Sequence, residues 1–260
     1  VVHHLLPTAT AADEAERAAS VAVLPVGSFE QHGDHLPLST DTLIACLIAR
    51  EVADHYGLLL LPPMTIACSH EHAGWPGTVS ISAATLHAII GDVTTSLKAS
   101  GVHRLLIVNG HGGNYVLSNI VQEASVAGPG MALFPARDDW RAAREAAGCE
   151  TDNSGDMHAG ELETSILLHA LPDLVRPTYA TADHEAPSRP HLLTLGMRGY
   201  TTSGVIGRPS LATAEKGKAL LDAFVDLAAS HLDLLRTTPD DSPEDGPPPS
   251  DRSHWGNSGR

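Results

Sequence analysis

Residues 104–114 read RLLIVNGHGGN, and a helix-like stretch follows from Asn114. The run Arg104-Leu105-Leu106-Ile107-Val108 is a short apolar block, so it reads as a buried strand. It ends at Asn109, and Asn109-Gly110-His111-Gly112-Gly113-Asn114 then makes a strand-to-helix turn. Glycines there let the backbone take positive φ and approach a ligand closely. In parallel α/β sheets ligands bind beyond the carboxyl ends of the strands, which is where His111 stands. A glycine-rich anion loop is the competing reading, since the following helix offers free N–H groups. The loop is not G-x-x-x-x-G-K-[ST] and has no nearby lysine, which argues against a P-loop.

The same alternation extends both ways. Residues 21–26 (VAVLPV) read as a buried strand, and 40–56 as a helix with Leu43, Leu47, Ile48 and Val52 at helical spacing. An apolar run at 58–61 precedes Pro62-Pro63. Helices are predicted at 11–19, 83–100, 114–127, 138–147, 160–170 and 213–235, and a strand at 131–134. Strands alternating with helices predict an α/β fold whose mostly parallel sheet is covered on both faces. Residues 1–236 fit one domain. From Thr237 the last 24 residues carry five prolines, five acids and no aliphatic side chain, with Trp255 the sizeable apolar group. Residues 237–260 are therefore predicted to be a disordered tail.

Composition narrows the function. Lys and Arg number 16 and Asp and Glu 31, a net charge of −15. Nucleic acid and anionic membranes select a positive surface, so neither is expected as a partner. No run reaches the roughly 18 apolar residues of a membrane span. Residues 1–20 lack the basic and apolar regions of a secretory signal. The three widely spaced cysteines make no disulfide framework, so a reducing cytoplasm is the expected setting. Histidine is abundant, 16 against 16 for Lys and Arg together. It is the commonest metal ligand and a proton shuttle near neutral pH, so clusters of it carry the functional signal.

Three further segments hold such clusters. Gly27-Ser28-Phe29-Glu30-Gln31-His32-Gly33-Asp34-His35 follows the first strand. Glu30 and His32 are two apart, so in extended backbone they point the same way. A carboxylate and an imidazole converging at a strand end suit a divalent metal. Asp41 opens the next helix, where an acid would also favour the dipole behind a Thr40 cap. Residues 156–165 (DMHAGELETS) open a helix with His158, Glu161 and Glu163. The two glutamates lie about 200° apart on a helix, so one of them can enter a shared site, and periodicity does not choose. Residues 69–78 (SHEHAGWPGT) offer Ser69, His70 and His72 as pocket lining, with direct metal ligation by His70 or His72 the lesser reading.

GSFEQHGDHLPLSTDT, SHEHAGWPGT, VNGHGGN, HAGELETS and SGVIGRPSLATAEKG, in this order, resemble the creatininase family of metal-dependent amidohydrolases. The resemblance spans residues 21–235. It implies a three-layer α/β sandwich and two divalent metals, zinc first, with manganese or iron as alternatives. By position, Glu30, Asp41 and His111 would hold one metal, and His32 with a bridging Asp41 the other. The family pattern H-A-G-x-x-E-T-S puts its glutamate at Glu163, which would complete the second set. His158 would shuttle the proton, and Ser69, His72, Gly112 and Gly113 would line the substrate site. The implied reaction is hydrolysis of an amide C–N bond in a small molecule or short peptide by metal-activated water. Implied alternatives are a peptidase of the mycofactocin-precursor type and a catalytically silent metal-binding scaffold. Family members commonly form homo-oligomers, hexamers among them. True creatininases carry tyrosine and a metal-binding glutamate where this chain has Gly112 and Gly113. They also carry a tryptophan shortly before the H-A-G motif that is missing here. Creatinine is therefore not the expected substrate.

Overall fold

The computed structural model describes residues 5–237. Helices and strands follow one another as α1 (Ala11–Arg17), β1 (Val21–Val26), α2 (Thr40–Tyr56), β2 (Leu59–Leu60), α3 (Ala83–Ala99), β3 (Arg104–Asn109), α4 (Val116–Ala124), β4 (Met131–Phe134), α5 (Arg137–Ala146), α6 (Glu161–Ala170), the single turn α7 (Leu192–Leu195) and α8 (Ala214–Arg236).

The pleat of the strands sorts the core into two layers. Val21 and Val23 of β1 face one apolar cluster, and Ala22, Leu24 and Val26 face the other. β3 divides the same way, Leu106 and Val108 against Leu105 and Ile107. Successive strand side chains point to opposite faces, so a strand covered on both sides is apolar throughout. Ile44, Ile48 and Val52 of α2, Leu162 and Ile166 of α6, and Leu220, Phe224 and Leu232 of α8 cover the first face. Leu86 and Ile90 of α3 with Leu117 and Ile120 of α4 cover the second. Each such fully buried side chain contributes about 1.5–3 kcal/mol. The architecture is a three-layer α/β sandwich.

The sheet runs β2-β1-β3-β4 with every pairing parallel. From β1 the chain steps to one side as β2, then crosses to the other side as β3. The carboxyl ends of β1 and β3 thus flank the topological switch point, the usual place for a ligand crevice. Register pairs Val26 with Asn109, and the Gly110 N–H donates to the Val26 carbonyl at 2.9 Å. The two histidine-bearing loops therefore leave the sheet side by side.

Two local expectations shift. Thr40 is the first residue of α2 and does not cap it; its hydroxyl donates to the Pro37 carbonyl at 2.7 Å. The helix predicted from 114 starts at Val116, because the Asn114 side chain is committed to the loop. The expected tail lies outside the described residues apart from Thr237. Among the described residues no helix is long and apolar enough to cross a membrane.

Candidate metal centre

Glu30, His32, Asp41 and His158 are all at least nine-tenths buried where β1 and β3 end. Glu30 and His32 come from the loop after β1, and Asp41 from the first turn of α2. His111 comes from the loop after β3, His158 from the segment before α6, and Glu163 from the first turn of α6. Gly110 makes the meeting of His111 and Asp41 feasible. A Cβ at Gly110 would collide with the Asp41 carbonyl oxygen, so a larger residue would push the β3 loop off α2. Asn114 ties the segments together. It accepts from the Cys68 N–H at 3.0 Å and donates to the Gly27 carbonyl at 3.2 Å and to Asn109 at 3.0 Å.

Backbone carbonyls fix which nitrogen each imidazole turns inward. A carbonyl only accepts, so the His32 Nδ1–H donates to the Glu30 carbonyl at 3.0 Å. Nε2 of His32 then faces Asp41 Oδ1 at 3.0 Å. The His111 Nε2–H donates to the Cys68 carbonyl at 2.9 Å. Its Nδ1 then faces Glu30 Oε1 at 3.2 Å and Asp41 Oδ2 at 3.0 Å. A neutral imidazole would set a lone pair against a carboxylate in both places. The cluster therefore needs a cation between these atoms, either a proton on each ring or a metal.

The carboxylate atoms argue for the metal. Glu30 Oε1 and Asp41 Oδ2 are buried without a hydrogen-bonded partner, although two imidazole nitrogens, Nε2 of His72 and Nδ1 of His111, approach them. Buried carboxylate oxygens rarely stay unsatisfied. Ligand atoms sharing a tetrahedral zinc lie roughly 3.3–3.5 Å apart, close to these contacts. Ligand atoms converge in the sets Glu30–Asp41–His111, His32–Asp41–Glu163 and Glu30–His32–His158, each within 4.8 Å. Asp41 belongs to the first two. The residues thus fit a binuclear centre of oxygen and nitrogen ligands.

The charges respond accordingly. Burial opposes protonation of His32, but Asp41, Glu163 and Glu30 outweigh it and lift its pKa to about 9. His111 is likewise raised against burial by Glu30 and Asp41. Burial, with Asp41 beside it, raises Glu163 to about 7 while His32 opposes. His158 behaves oppositely: burial and the neighbouring His32 and His72 hold it well below the ordinary histidine range. Its Nε2–H donates to the Gln31 carbonyl at 2.6 Å, leaving Nδ1 as a lone pair 3.8 Å from Glu30 Oε1. The ring is wedged between His32 and His72, with centroids 4.2 and 4.5 Å away.

The two glutamates of α6 separate cleanly. Glu163 accepts from the Ala159 N–H at 2.6 Å and joins the metal-type set with His32 and Asp41. Glu161 is turned away. It binds Lys216 at 2.6 Å, the Thr151 hydroxyl at 2.6 Å, and the backbone N–H groups of Glu150 and Thr151. Asp156 accepts the Glu161 and Leu162 N–H groups and so closes the amino end of α6.

Of the remaining expected residues, Ser69 is buried with its hydroxyl unpartnered. Nε2 of His72 lies 3.1 Å from Glu30 Oε1, nearer the cluster than a lining residue need be. A cleft of about 280 Å³ is lined by His111, Gly112 and Glu163 together with Arg137 and Trp140. A separate recess of about 420 Å³ is lined by Glu71, Gly113 and Tyr115. Sequence reasoning missed Gln31, whose amide meets His72 at 3.0 Å and the Gly204 carbonyl at 3.1 Å. It also missed Glu71. Gln31 stands between two metal-type residues and Glu71 between two histidines, and that flanking was the available signal.

Comparison with known proteins bears on this geometry. The family model described as creatinine amidohydrolase matches residues 7–232. A mycofactocin precursor peptide peptidase of Mycobacterium ulcerans (strain Agy99) is 36% identical over 231 residues, covering 84% of this chain and 86% of the relative. A creatinine amidohydrolase of Pseudomonas putida is 29% identical over 223 residues, 79% of this chain and 85% of the relative. A crystal structure of creatinine amidohydrolase superposes with TM-score 0.73 at 26% identity, covering 86% of this chain and 95% of that one. A creatininase structure named for manganese gives TM-score 0.71 at 25% identity, covering 84% and 93%.

Proposed function

Because the chain belongs to the creatininase family, we propose that this metal-dependent amidohydrolase acts on a short peptide, in the manner of the precursor-peptide peptidases it resembles. The observation that carries the reading is the Asp41 carboxylate, which contributes one oxygen to each of two ligand sets. In this proposal Glu30, Asp41 and His111 hold one divalent ion, and His32, Asp41 and Glu163 the other, zinc or manganese in each case. Such ions lower the pKa of water toward ~7 and polarise the amide carbonyl.

The chain's own groups supply the rest. His158 is held neutral, so Nδ1 accepts the proton of the attacking water and returns it to the departing amine. The Gln31 carbonyl keeps Nε2 protonated and the ring in place. Ser69, His72, Gly112 and Gly113 line the substrate path. A Cβ at Gly112 would meet nothing within 4 Å, so the loop leaves room for a chain longer than a compact cyclic amide. The peptidase relative is also the more similar one, 36% against 29% for the creatinine enzyme.

We further propose a single catalytic domain over residues 1–236, a cytoplasmic setting and a homo-oligomer, hexamers being among the arrangements that the resemblance implies. Exposed Leu193 and Leu195 support the last, and light scattering of the purified protein tests it. The test of the activity is a panel of short peptides, with creatinine and simple formamides alongside, in ¹⁸O water with and without chelator. A chelator-sensitive peptide cleavage that puts ¹⁸O in the new carboxylate is the expected result. Creatinine turnover with every peptide intact would overturn the substrate assignment.

A further inference from the structure

The space that a side chain at residue 113 would take is filled from another segment. A Cβ at Gly113 would overlap Oε1 of Glu71 and Nε2 of His111. Glu71 sits on the 3-10 turn His70–His72, and its side chain is 12% exposed. Its Oε1 lies 3.4 Å from Nε2 of His111. That nitrogen carries the hydrogen donated to the Cys68 carbonyl at 2.9 Å. Glu71 therefore stands behind the imidazole, on the side away from Glu30 and Asp41. Gly196, at φ +64, lets a second segment close over the turn; a Cβ there would press on the Glu71 carbonyl oxygen at 2.7 Å.

We infer that Glu71 is a positioning residue of the metal centre: its carboxylate orients His111 from behind, and Gly113 is what admits it. A carboxylate behind a ligating histidine fixes the tautomer, holds the ring angle and strengthens the inward nitrogen as a donor. Cys68 alone supplies a neutral acceptor. Glu71 adds a negative charge 3.4 Å from the same nitrogen, and the missing side chain at 113 leaves room for it. The inference rests on His111 holding a metal, as proposed above.

The test is a competition titration of metal-stripped, full-length protein with Zn²⁺ against a chromophoric chelator. Glu71→Ala should weaken one of the two metals by roughly 10–100-fold, the usual cost of losing such a partner. Glu71→Gln keeps an acceptor oxygen and should recover part of that loss. The pH of half-loading should rise in Glu71→Ala and move less in Glu71→Gln. Gly113→Ala should also weaken the site, since its Cβ would press on both Glu71 Oε1 and His111 Nε2. Should Gly113→Ala fail to fold, the pair at Glu71 still decides. Zinc affinity of Glu71→Ala within twofold of the parent would overturn the inference. His111→Ala with parental affinity would overturn the ligand assignment itself; a loss there with Glu71→Ala unaffected would remove Glu71 alone.

Discussion

Asp41 Oδ2 lies 3.0 Å from His111 Nδ1, while Oδ1 of the same carboxylate lies 3.0 Å from His32 Nε2. The imidazoles approach from loops after two different strands, and the carboxylate comes from the helix between those strands in sequence. Gly110 permits the approach, and the parallel register of β1 and β3 sets its height. A single side chain thus couples two ligand sets.

That coupling predicts the behaviour of Asp41→Ala. Removing the shared carboxylate should empty both metal positions, leaving less than one ion per chain by elemental analysis. Retention of one tight metal would mean that the two sets are independent.

The α6 glutamates should part in experiment as they do in space. Glu163→Gln should lose about one metal per chain with little change in fold. Glu161→Ala should keep its metals but unfold more easily, by roughly 2–4 kcal/mol in denaturant titration, since buried donors and Lys216 lose their acceptor. The reverse pattern would exchange their roles.

These two residues also mark where the sequence stops being legible. Both lie in the first turn of α6, both are acids, and helical period puts them on different faces without saying which face is inward. The choice is made by Lys216, far along the chain on α8. By contrast RLLIV, VAVLPV and the helix at 40–56 were readable, because an apolar block or a helical stripe states its own burial. His111 was readable as a ligand-type residue from its place after a strand. The contribution of Gln31 and Glu71 was not, since it depends on long-range contacts with Gly204 and His111. Between 171 and 212 the sequence carries no clear helical or strand period. The structure there is short turns, and periodicity has nothing to register, yet Ile206 bridges to His158 and Gly204 holds Gln31.

Metal-free protein should lose stability between pH 7 and 9. His32 is raised from 6.5 to about 9 in the fold. Its contribution is complete below the unfolded pKa and is lost as pH rises through the folded one. Glu163, raised to about 7, acts in the same direction at lower pH. A bound metal replaces the His32 proton, so loaded protein should hold its Tm across this range and metal uptake at pH 7 should release protons. A metal-free Tm that is flat or rising from pH 7 to 9 would contradict the electrostatics of the cluster.

His158→Ala should separate proton transfer from metal binding. With Nδ1 as the shuttle, the variant should keep two metals while turnover falls by roughly 10²–10⁴-fold. An activated anilide, whose amine leaves without protonation, should recover part of the rate. Loss of metal together with equal loss on every substrate would make His158 a ligand, consistent with its reach to Glu30 and His32.

Anomalous scattering from crystals of protein purified without chelator measures the pair of ions about Asp41 most directly. Maps at the zinc and manganese edges should show two peaks about 3.5–4 Å apart. One peak should lie among Glu30, Asp41 and His111, the other among His32, Asp41 and Glu163. A single peak, or two peaks that do not share Asp41, would contradict the account.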